Sequence, residues 1–299
     1  MTIIGAAKFN PYEGAIIADR QSSTSSTRYL ISTKLHLVEG GNDSKFIFGG
    51  TGSAGRIYEI ILRLKEGIAE LKEKPSTKYD FRDFMGEIIK EYKEDYLKRR
   101  FNQELINLPE KHPGQKGWEE YLAGKQKTIL EDFDELDEPF LVLSCDKNGV
   151  ALQRISVKPE NTRLVSHLYD AIGSGESLAD LVLHDFFKNI DEKEAVNPIE
   201  GIMVLLQAVA RAADRSKSVG GIPQLYVIDH GKVISPRRNN LKLAEEISRA
   251  EGKGYFNKGF AVEALEDLIY KGANFETVEE NMLQKTKNPK ALLRFLRGY

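Results

Sequence analysis

The residue that follows the initiator methionine is a threonine, and this position gives it unusual chemical options. Small second residues generally permit removal of Met1, which would leave a hydroxyl and a free α-amine together on Thr2. An α-amine has a pKa of about 7.7–8.0, so part of it is neutral near pH 7 and can act as the base for its own hydroxyl. In many proteins a threonine at position 2 has no catalytic role, so this interpretation depends on the residues that surround Thr2.

A carboxylate in the first predicted hairpin could lie beside this threonine. A four-residue turn would pair Phe9 with Gly14 across two apolar runs. That register places Asp19 opposite Ile4 and diagonal to Thr2, on the same sheet face and about 7–8 Å away. The alternative is a surface aspartate that pairs with an arginine close by in the sequence.

Hydrophobic periodicity predicts the elements that must position these residues. The predicted strands are 2–9, 14–19, 34–38, 45–49, 140–145, 150–157, 169–172, 224–229 and 232–235. The predicted helices are 53–74, a second one after Pro75, then 176–189 and 198–214. The first strand is apolar on both faces, which indicates a sheet that is covered on both sides. Runs of strands and runs of helices, rather than strict alternation, favour an α+β layered fold.

Two segments stand apart from this pattern. Residues 108–138 combine prolines and glycines with an acidic run, so they are predicted to form an insertion or a long loop. The segment after residue 240 is charged and predicted to be helical. The expected organisation is therefore one domain over 1–240 and a helical C-terminal extension over 241–299.

Five sequence blocks, taken in order, resemble proteasome β-type subunits, which are N-terminal nucleophile (Ntn) hydrolases. The blocks are Thr2–Phe9 with Gly14–Arg20, then Ser32–Leu37, Phe46–Gly50, Ala171–Ala179, and finally Ala212–Arg215 through Gln224–Ile228. They are spread over about residues 2–235 at a spacing near that of the family. The resemblance implies the Ntn-hydrolase fold, a four-layer α-β-β-α sandwich of two antiparallel sheets.

The resemblance also implies a catalytic group of three side chains. Thr2 would be the nucleophile, and its hydroxyl would attack a carbonyl carbon. Lys34 would lie against that hydroxyl and ease the loss of its proton, while Asp19 would keep the lysine charged and oriented. A cation beside a developing alkoxide is favourable, which fits these roles.

Supporting positions are carried over in the same way. A backbone N–H at Gly50, or at its neighbour Gly49 or Gly52, would donate a hydrogen bond to the oxyanion. Ser174, together with Asp214, would support the α-amine and its water molecule. No cofactor and no metal ion are expected.

Other motifs point to other chemistry, but more weakly. The sequence Gly50-Thr51-Gly52-Ser53-Ala54-Gly55 matches G-x-G-x-x-G, yet the acidic residue required about 20 positions later falls in a predicted helix. The five histidines show no H-x-x-x-H spacing, which disfavours a zinc site. Cys145, the only cysteine, lies in an apolar strand and is expected to be a core residue.

The amino-acid composition indicates which partners and which cellular compartment to expect. The 299 residues carry 43 Lys and Arg against 45 Asp and Glu, a formal net charge of −2, which excludes bulk electrostatic binding of nucleic acid. A single cysteine suits a reducing compartment. No apolar stretch is long enough for a membrane span and no secretory signal is present, so a cytoplasmic protein is expected.

These observations predict a threonine-type amidohydrolase, most simply an endopeptidase that forms an acyl ester on Thr2 and then hydrolyses it. The expected partners are a peptide or protein substrate, further copies of the chain in a homo-oligomer such as a ring, and an ATPase regulator. Two alternatives stay open. One is a non-catalytic ring or scaffold subunit, and the other is an acyltransferase that passes the Thr2 ester to an amine.

Overall fold

The structure is a computed structural model, and it describes most of the chain. The described residues are 2–23, 28–30, 33–106, 118–134, 138–158, 162–165, 167–191, 194–215, 219–286 and 288–296. The strands are β1 (Ile3–Asn10), β2 (Glu13–Ala18), β3 (Gln21–Ser23), β4 (Arg28–Leu30), β5 (His36–Glu39), β6 (Lys45–Gly50), β7 (Pro139–Asp146), β8 (Gly149–Ser156), β9 (Arg163–Leu164), β10 (Tyr169–Gly173), β11 (Gln224–Asp229) and β12 (Lys232–Ile234). The helices are α1 (Ala54–Glu70), α2 (Lys78–Ile106), α3 (Trp118–Asp134), α4 (Glu176–Phe187), α5 (Pro198–Arg215), α6 (Arg238–Glu251), α7 (Lys258–Ile269), α8 (Phe275–Lys285) and α9 (Pro289–Leu296).

Two five-stranded antiparallel sheets form the centre of the molecule. The first has the strand order β10-β1-β2-β11-β12 and the second has the order β5-β6-β7-β8-β9, while β3 and β4 form a separate pair. The sheets pack face to face through apolar side chains, among them Ile4, Ile16, Ile47 and Leu141. Helices α4, α5 and α6 pack against the outer face of the first sheet, and α7 packs on α5 and α6. Helices α1 and α2 pack against the outer face of the second sheet. The fold is a four-layer α-β-β-α sandwich, as predicted.

Strand β1 shows why this sheet needs cover on both sides. Ile3, Ala7 and Phe9 point into the core beneath the helices, whereas Ile4 and Ala6 point between the two sheets. All five side chains are fully buried. Because side chains alternate between the faces of a strand, an apolar residue at almost every position requires a packed layer on each side.

The register of the first hairpin differs from the predicted one. The turn has two residues instead of four, and Asn10 pairs with Glu13. The ladder then shifts at Phe9, so that Ile4 lies opposite Ala18 and not opposite Asp19. The carbonyl of Phe9 instead accepts a hydrogen bond from the N–H of Val196, at 2.8 Å. A β-bulge of one residue moves every later pair by one position, which propensity does not reveal.

The segment predicted as an insertion or long loop contains helix α3. Residues 107–117 and 135–137 of that segment lie outside the described part of the chain. Helices α6 to α9 occupy the predicted extension, and their apolar residues, such as Leu241 and Leu265, belong to the same core as β1. The division of the chain at residue 240 stays a prediction.

The length and polarity of a helix determine whether it can span a membrane. Within the described ranges, no helix is both long enough and apolar enough to cross a bilayer.

Candidate active site

Thr2 lies immediately before β1 and beside the end of β10, the neighbouring strand in the first sheet. The hydroxyl of Ser174 donates a hydrogen bond to the backbone carbonyl oxygen of Thr2, at 3.4 Å. Gly173 has a φ of +110°, and a Cβ atom at that position would lie 2.1 Å from the same carbonyl oxygen. Only glycine therefore permits this close approach, and the 173–174 backbone fixes the position of Thr2.

Lys34 joins the threonine to the carboxylate. Its Nζ donates one hydrogen bond to Oγ1 of Thr2 at 2.9 Å and another to Oδ1 of Asp19 at 2.7 Å. Asp19 is completely buried and Lys34 is nearly so. The structure thus brings together Thr2, Asp19 and Lys34, the three side chains that were predicted to act as a group.

Backbone N–H groups help Lys34 to hold the carboxylate of Asp19. Besides Lys34, the backbone N–H of Ile3 donates to Oδ1 at 2.9 Å and the backbone N–H of Gly220 donates to Oδ2 at 3.2 Å. Burial raises the pKa of Asp19, and these three donors oppose that increase. The bond to Ile3 also ties the carboxylate to the residue that follows Thr2.

Burial has a consequence for the lysine as well. It lowers the pKa of Lys34, while the charge and the hydrogen bond of Asp19 oppose that decrease. Because Asp19 opposes the decrease, the amine can stay an ammonium group, and its position 2.9 Å from Oγ1 of Thr2 lets it stabilise negative charge on that oxygen.

The backbone around Lys34 is held by a residue from the other sheet. Oε1 of Gln224 accepts hydrogen bonds from the N–H groups of Lys34 and Leu35, at 2.9 and 3.1 Å, and its Nε2 donates to the carbonyl of Leu35 at 3.0 Å. Gln224 was not among the predicted site residues. The available signal was a polar residue at the start of an otherwise apolar strand.

Gly50 lies at the end of β6, and the ladder determines where its N–H points. The N–H of Thr51 donates to the carbonyl of Pro139 at 3.0 Å, which marks that pair as hydrogen-bonded. Hydrogen-bonded and non-hydrogen-bonded pairs alternate in an antiparallel ladder, so the N–H of Gly49 is directed at β7 and that of Gly50 is directed away from it. This is the side on which Lys34 precedes β5. Among the three glycines considered for the oxyanion, this geometry favours Gly50.

Asp214 has a different partner from the predicted one. Its half-exposed carboxylate forms an ion pair of 2.8 Å with Arg249 of α6. Within the described residues, no hydrogen bond joins Asp214 to Ser174 or Thr2. Of the pair predicted to support the α-amine, only Ser174 contacts Thr2.

The glycine-rich stretch after β6 does not form a dinucleotide site. Helix α1 leads into helix α2, and both neighbours of β6 in the sheet are antiparallel to it. The dinucleotide fingerprint requires a parallel βαβ unit, which this arrangement excludes. Instead Gly52, with a φ of +130°, packs against the buried side chain of Glu138.

Comparison with solved structures identifies the fold. One similar structure is the Anbu (Gly-1) mutant from Hyphomicrobium sp. strain MC1, with a TM-score of 0.58 and 12% identity over 85% of this chain and 96% of that chain. Another is Anbu (ancestral beta-subunit) from Yersinia bercovieri, with a TM-score of 0.59 and 13% identity over 85% of this chain and 94% of that one. The chain shares the fold of Anbu.

The comparisons correct the family suggested by the sequence blocks. No known protein family matches the sequence, and no curated protein matches it. The similar structures are Anbu proteins, at an identity that shows the fold alone. The assignment to the proteasome β-type subunits is therefore wrong, and what the similar structures show is the fold. The homo-oligomer, the ATPase regulator and the cytoplasmic location stay predictions.

Proposed function

We propose that this protein is an N-terminal threonine amidohydrolase that cleaves peptide bonds. The observation that carries the proposal is the pair of hydrogen bonds from Nζ of Lys34, to Oγ1 of Thr2 at 2.9 Å and to Oδ1 of Asp19 at 2.7 Å. Burial of a lysine between a carboxylate and a hydroxyl costs free energy of folding, because charged groups lose their hydration. A purely structural role therefore explains this arrangement poorly. The same arrangement favours ionisation of the hydroxyl oxygen.

The proposed reaction begins after removal of Met1. The α-amine of Thr2 takes the proton of Oγ1 as this oxygen attacks the carbonyl carbon of the peptide bond. The ammonium group of Lys34 stabilises the negative charge on Oγ1, and the N–H of Gly50 donates to the oxyanion. The proton then moves to the leaving amine, the C–N bond breaks, and an acyl ester remains on Thr2. Water hydrolyses the ester, which releases a carboxylic acid and restores the hydroxyl.

The intact mass of the purified protein, with and without a β-lactone probe, tests this proposal. We expect the loss of Met1 and one stoichiometric adduct on Thr2. Thr2→Ala should form no adduct, although alanine is small enough for Met1 still to be removed. Thr33→Ala is the matched control, because it alters an exposed threonine next to Lys34 and should keep the adduct.

Two outcomes contradict the proposal. An adduct that persists in Thr2→Ala would show that another residue is the nucleophile. Retained Met1 without any adduct would favour the non-catalytic scaffold. If the adduct does form, adding an acceptor peptide separates hydrolysis from acyl transfer, because transfer gives a ligated product.

A further inference from the structure

Three metal-ligating side chains meet at the end of the first sheet that is opposite to Thr2. Glu13 begins β2, Asp229 ends β11, and His230 follows in the turn to β12. One ligand atom from each of them lies within 4.8 Å of the other two. Strand β2 runs from this group to Ala18, a length of about 17 Å, so the group is separate from the candidate active site.

The two carboxylates are directly opposed across the β2–β11 ladder. Like charges at such a position destabilise a sheet unless a cation lies between them. Within the described residues, no lysine or arginine forms an ion pair with Glu13 or Asp229. Both side chains are half-buried, so water screens their repulsion only in part.

Neighbouring residues fix the orientation of the three ligands. Nδ2 of Asn10 donates a hydrogen bond to Oε2 of Glu13, which leaves Oε1 for another partner. The ring of Tyr12 stacks on the ring of His230 with centroids 5.7 Å apart, and the carbonyl of Tyr12 accepts from the backbone N–H of His230 at 3.1 Å. A hydrogen bond to a ligating carboxylate, such as the one from Asn10 to Glu13, is common in metal centres.

A buried oxygen from the C-terminal helices points to the same place. Oη of Tyr270, at the end of α7, is buried and has no hydrogen-bond partner among the described residues. Burial raises the pKa of this phenol, and the charges of Glu13 and Asp229, which lie near it, raise it further. A phenol hydroxyl can donate a hydrogen bond to a water molecule or to a carboxylate bound to a cation.

We propose that Glu13, Asp229 and His230 bind one divalent first-row transition-metal ion. Two carboxylates with one imidazole suit Mn²⁺ or Zn²⁺ better than Mg²⁺ or Ca²⁺, which prefer oxygen ligands alone. The ion neutralises the opposed carboxylates and joins the β1–β2 turn to the β11–β12 turn. Its role is structural, because the site lies far from Thr2.

The test is a titration of the full-length, chelator-treated protein with Mn²⁺, followed by electron paramagnetic resonance of the free ion. We expect one bound equivalent, and we expect Zn²⁺ to displace it, because zinc binds such ligand sets more tightly. Asp229→Asn should lower the affinity for Mn²⁺ by at least about tenfold. His230→Asn should do the same, and asparagine tolerates the φ of 45° at this position.

Two controls make the result specific. Asp43→Asn alters a carboxylate in another turn, between β5 and β6, where φ is also positive, and should bind Mn²⁺ like the wild type. Thr2→Ala should bind equally, so that failure of the metal site and failure of the proposed hydrolase are distinguishable. Equal affinity in the wild type and in Asp229→Asn, or no binding at millimolar Mn²⁺, would overturn the proposal.

Thermal unfolding gives a second readout that does not require a binding signal. Saturating Mn²⁺ should raise the midpoint of the wild type and of Asp43→Asn, but not that of Asp229→Asn. Without metal, Asp229→Asn should be at least as stable as the wild type, because the repulsion with Glu13 is removed. A metal-free Asp229→Asn protein that is clearly less stable would overturn the view that these carboxylates repel each other.

Discussion

Gln224 holds the backbone of Lys34 in place, although 190 positions separate the two residues in the sequence. Oε1 of Gln224 accepts from the N–H of Lys34, and the same side chain both accepts from and donates to Leu35. Gln224 belongs to β11 of the first sheet, whereas Lys34 leads into β5 of the second. The position of the lysine therefore depends on how the two sheets are packed together.

Substitution of Gln224 should affect the reactivity of Thr2 more than the binding of the β-lactone probe. We expect Gln224→Ala to leave two buried N–H groups without an acceptor and to lower stability by about 1–3 kcal/mol. The rate of reaction of Thr2 with the β-lactone should fall, while the probe concentration at half saturation changes little. Gln224→Glu keeps an acceptor for the two N–H groups but loses the donor to the carbonyl of Leu35, so labelling should also slow in this variant. A wild-type labelling rate in Gln224→Ala would contradict a positioning role.

Lys34 should be necessary for the reactivity of Thr2. We expect Lys34→Ala to slow labelling by about 10²–10³-fold, the usual range for loss of a group that stabilises the charge developing in the transition state. It should also lower stability by about 3–5 kcal/mol, because Asp19 is left buried without its cation. The double variant Lys34→Ala with Asp19→Asn should recover part of the stability but none of the reactivity.

A lysine outside the site provides the control for that experiment. Lys65 contacts the exposed edge of His36 at 3.0 Å and does not touch Thr2 or Asp19. Lys65→Ala should therefore label at the wild-type rate. Equal labelling by Lys34→Ala and Lys65→Ala would rule out the proposed role of Lys34.

Gly173 should be required for the position of Thr2. Gly173→Ala places a methyl group 2.1 Å from the carbonyl oxygen of Thr2, so the start of β1 must move and labelling should be lost. Gly254→Ala is a matched control, because its φ of +76° is also positive but nothing lies within 4 Å of the added Cβ. Gly254→Ala should lose about 1–2 kcal/mol of stability from backbone strain, and Gly173→Ala should lose more because of the added clash. Labelling that survives in Gly173→Ala would show that this contact does not position the nucleophile.

The layers of the fold could be predicted because they depend on local pattern. Apolar residues on both faces of β1 require two covering layers, and helical periodicity locates α1, α4 and α5. The hairpin register could not be predicted in the same way. It depends on a bulge at Phe9, whose carbonyl accepts a hydrogen bond from the N–H of Val196. Because Val196 is distant in the sequence, the residues of the hairpin alone do not indicate this bulge.

The candidate active site could also be predicted from the sequence only in part. At most 32 positions separate Thr2, Asp19 and Lys34, which were found from short motifs, and the structure brings them together. Gln224 was missed because its contacts cross between the sheets. Asp214 was selected by a motif, but it faces Arg249 of α6, a helix whose packing no motif describes. The group of Glu13, Asp229 and His230 was invisible because strand pairing, not spacing, brings it together.

Glu245 of α6 has a buried carboxyl group that makes the stability of the protein depend on pH. Burial raises the pKa of Glu245 to about 7, and the ion pair with Arg249, at 3.9 Å, is too long to offset this. The folded chain therefore binds more protons than the unfolded chain between pH 4.5 and pH 7. The contribution of Glu245 to stability is fully present below pH 4.5 and is lost as the pH rises through 7.

Glu245→Gln removes this dependence, because a glutamine carries no charge at any pH. We expect the variant to nearly match the wild type at pH 4.5 and to exceed its unfolding free energy by about 3 kcal/mol at pH 8, since the pKa rises from 4.5 to about 7 and one pKa unit corresponds to about 1.4 kcal/mol. Denaturant unfolding at the two pH values measures this difference, and the other titrating groups cancel in it. Glu263→Gln, on the exposed face of α7, should show no such change. An equal effect of Glu245→Gln at both pH values would mean that this carboxyl titrates in the folded protein as it does in the unfolded chain.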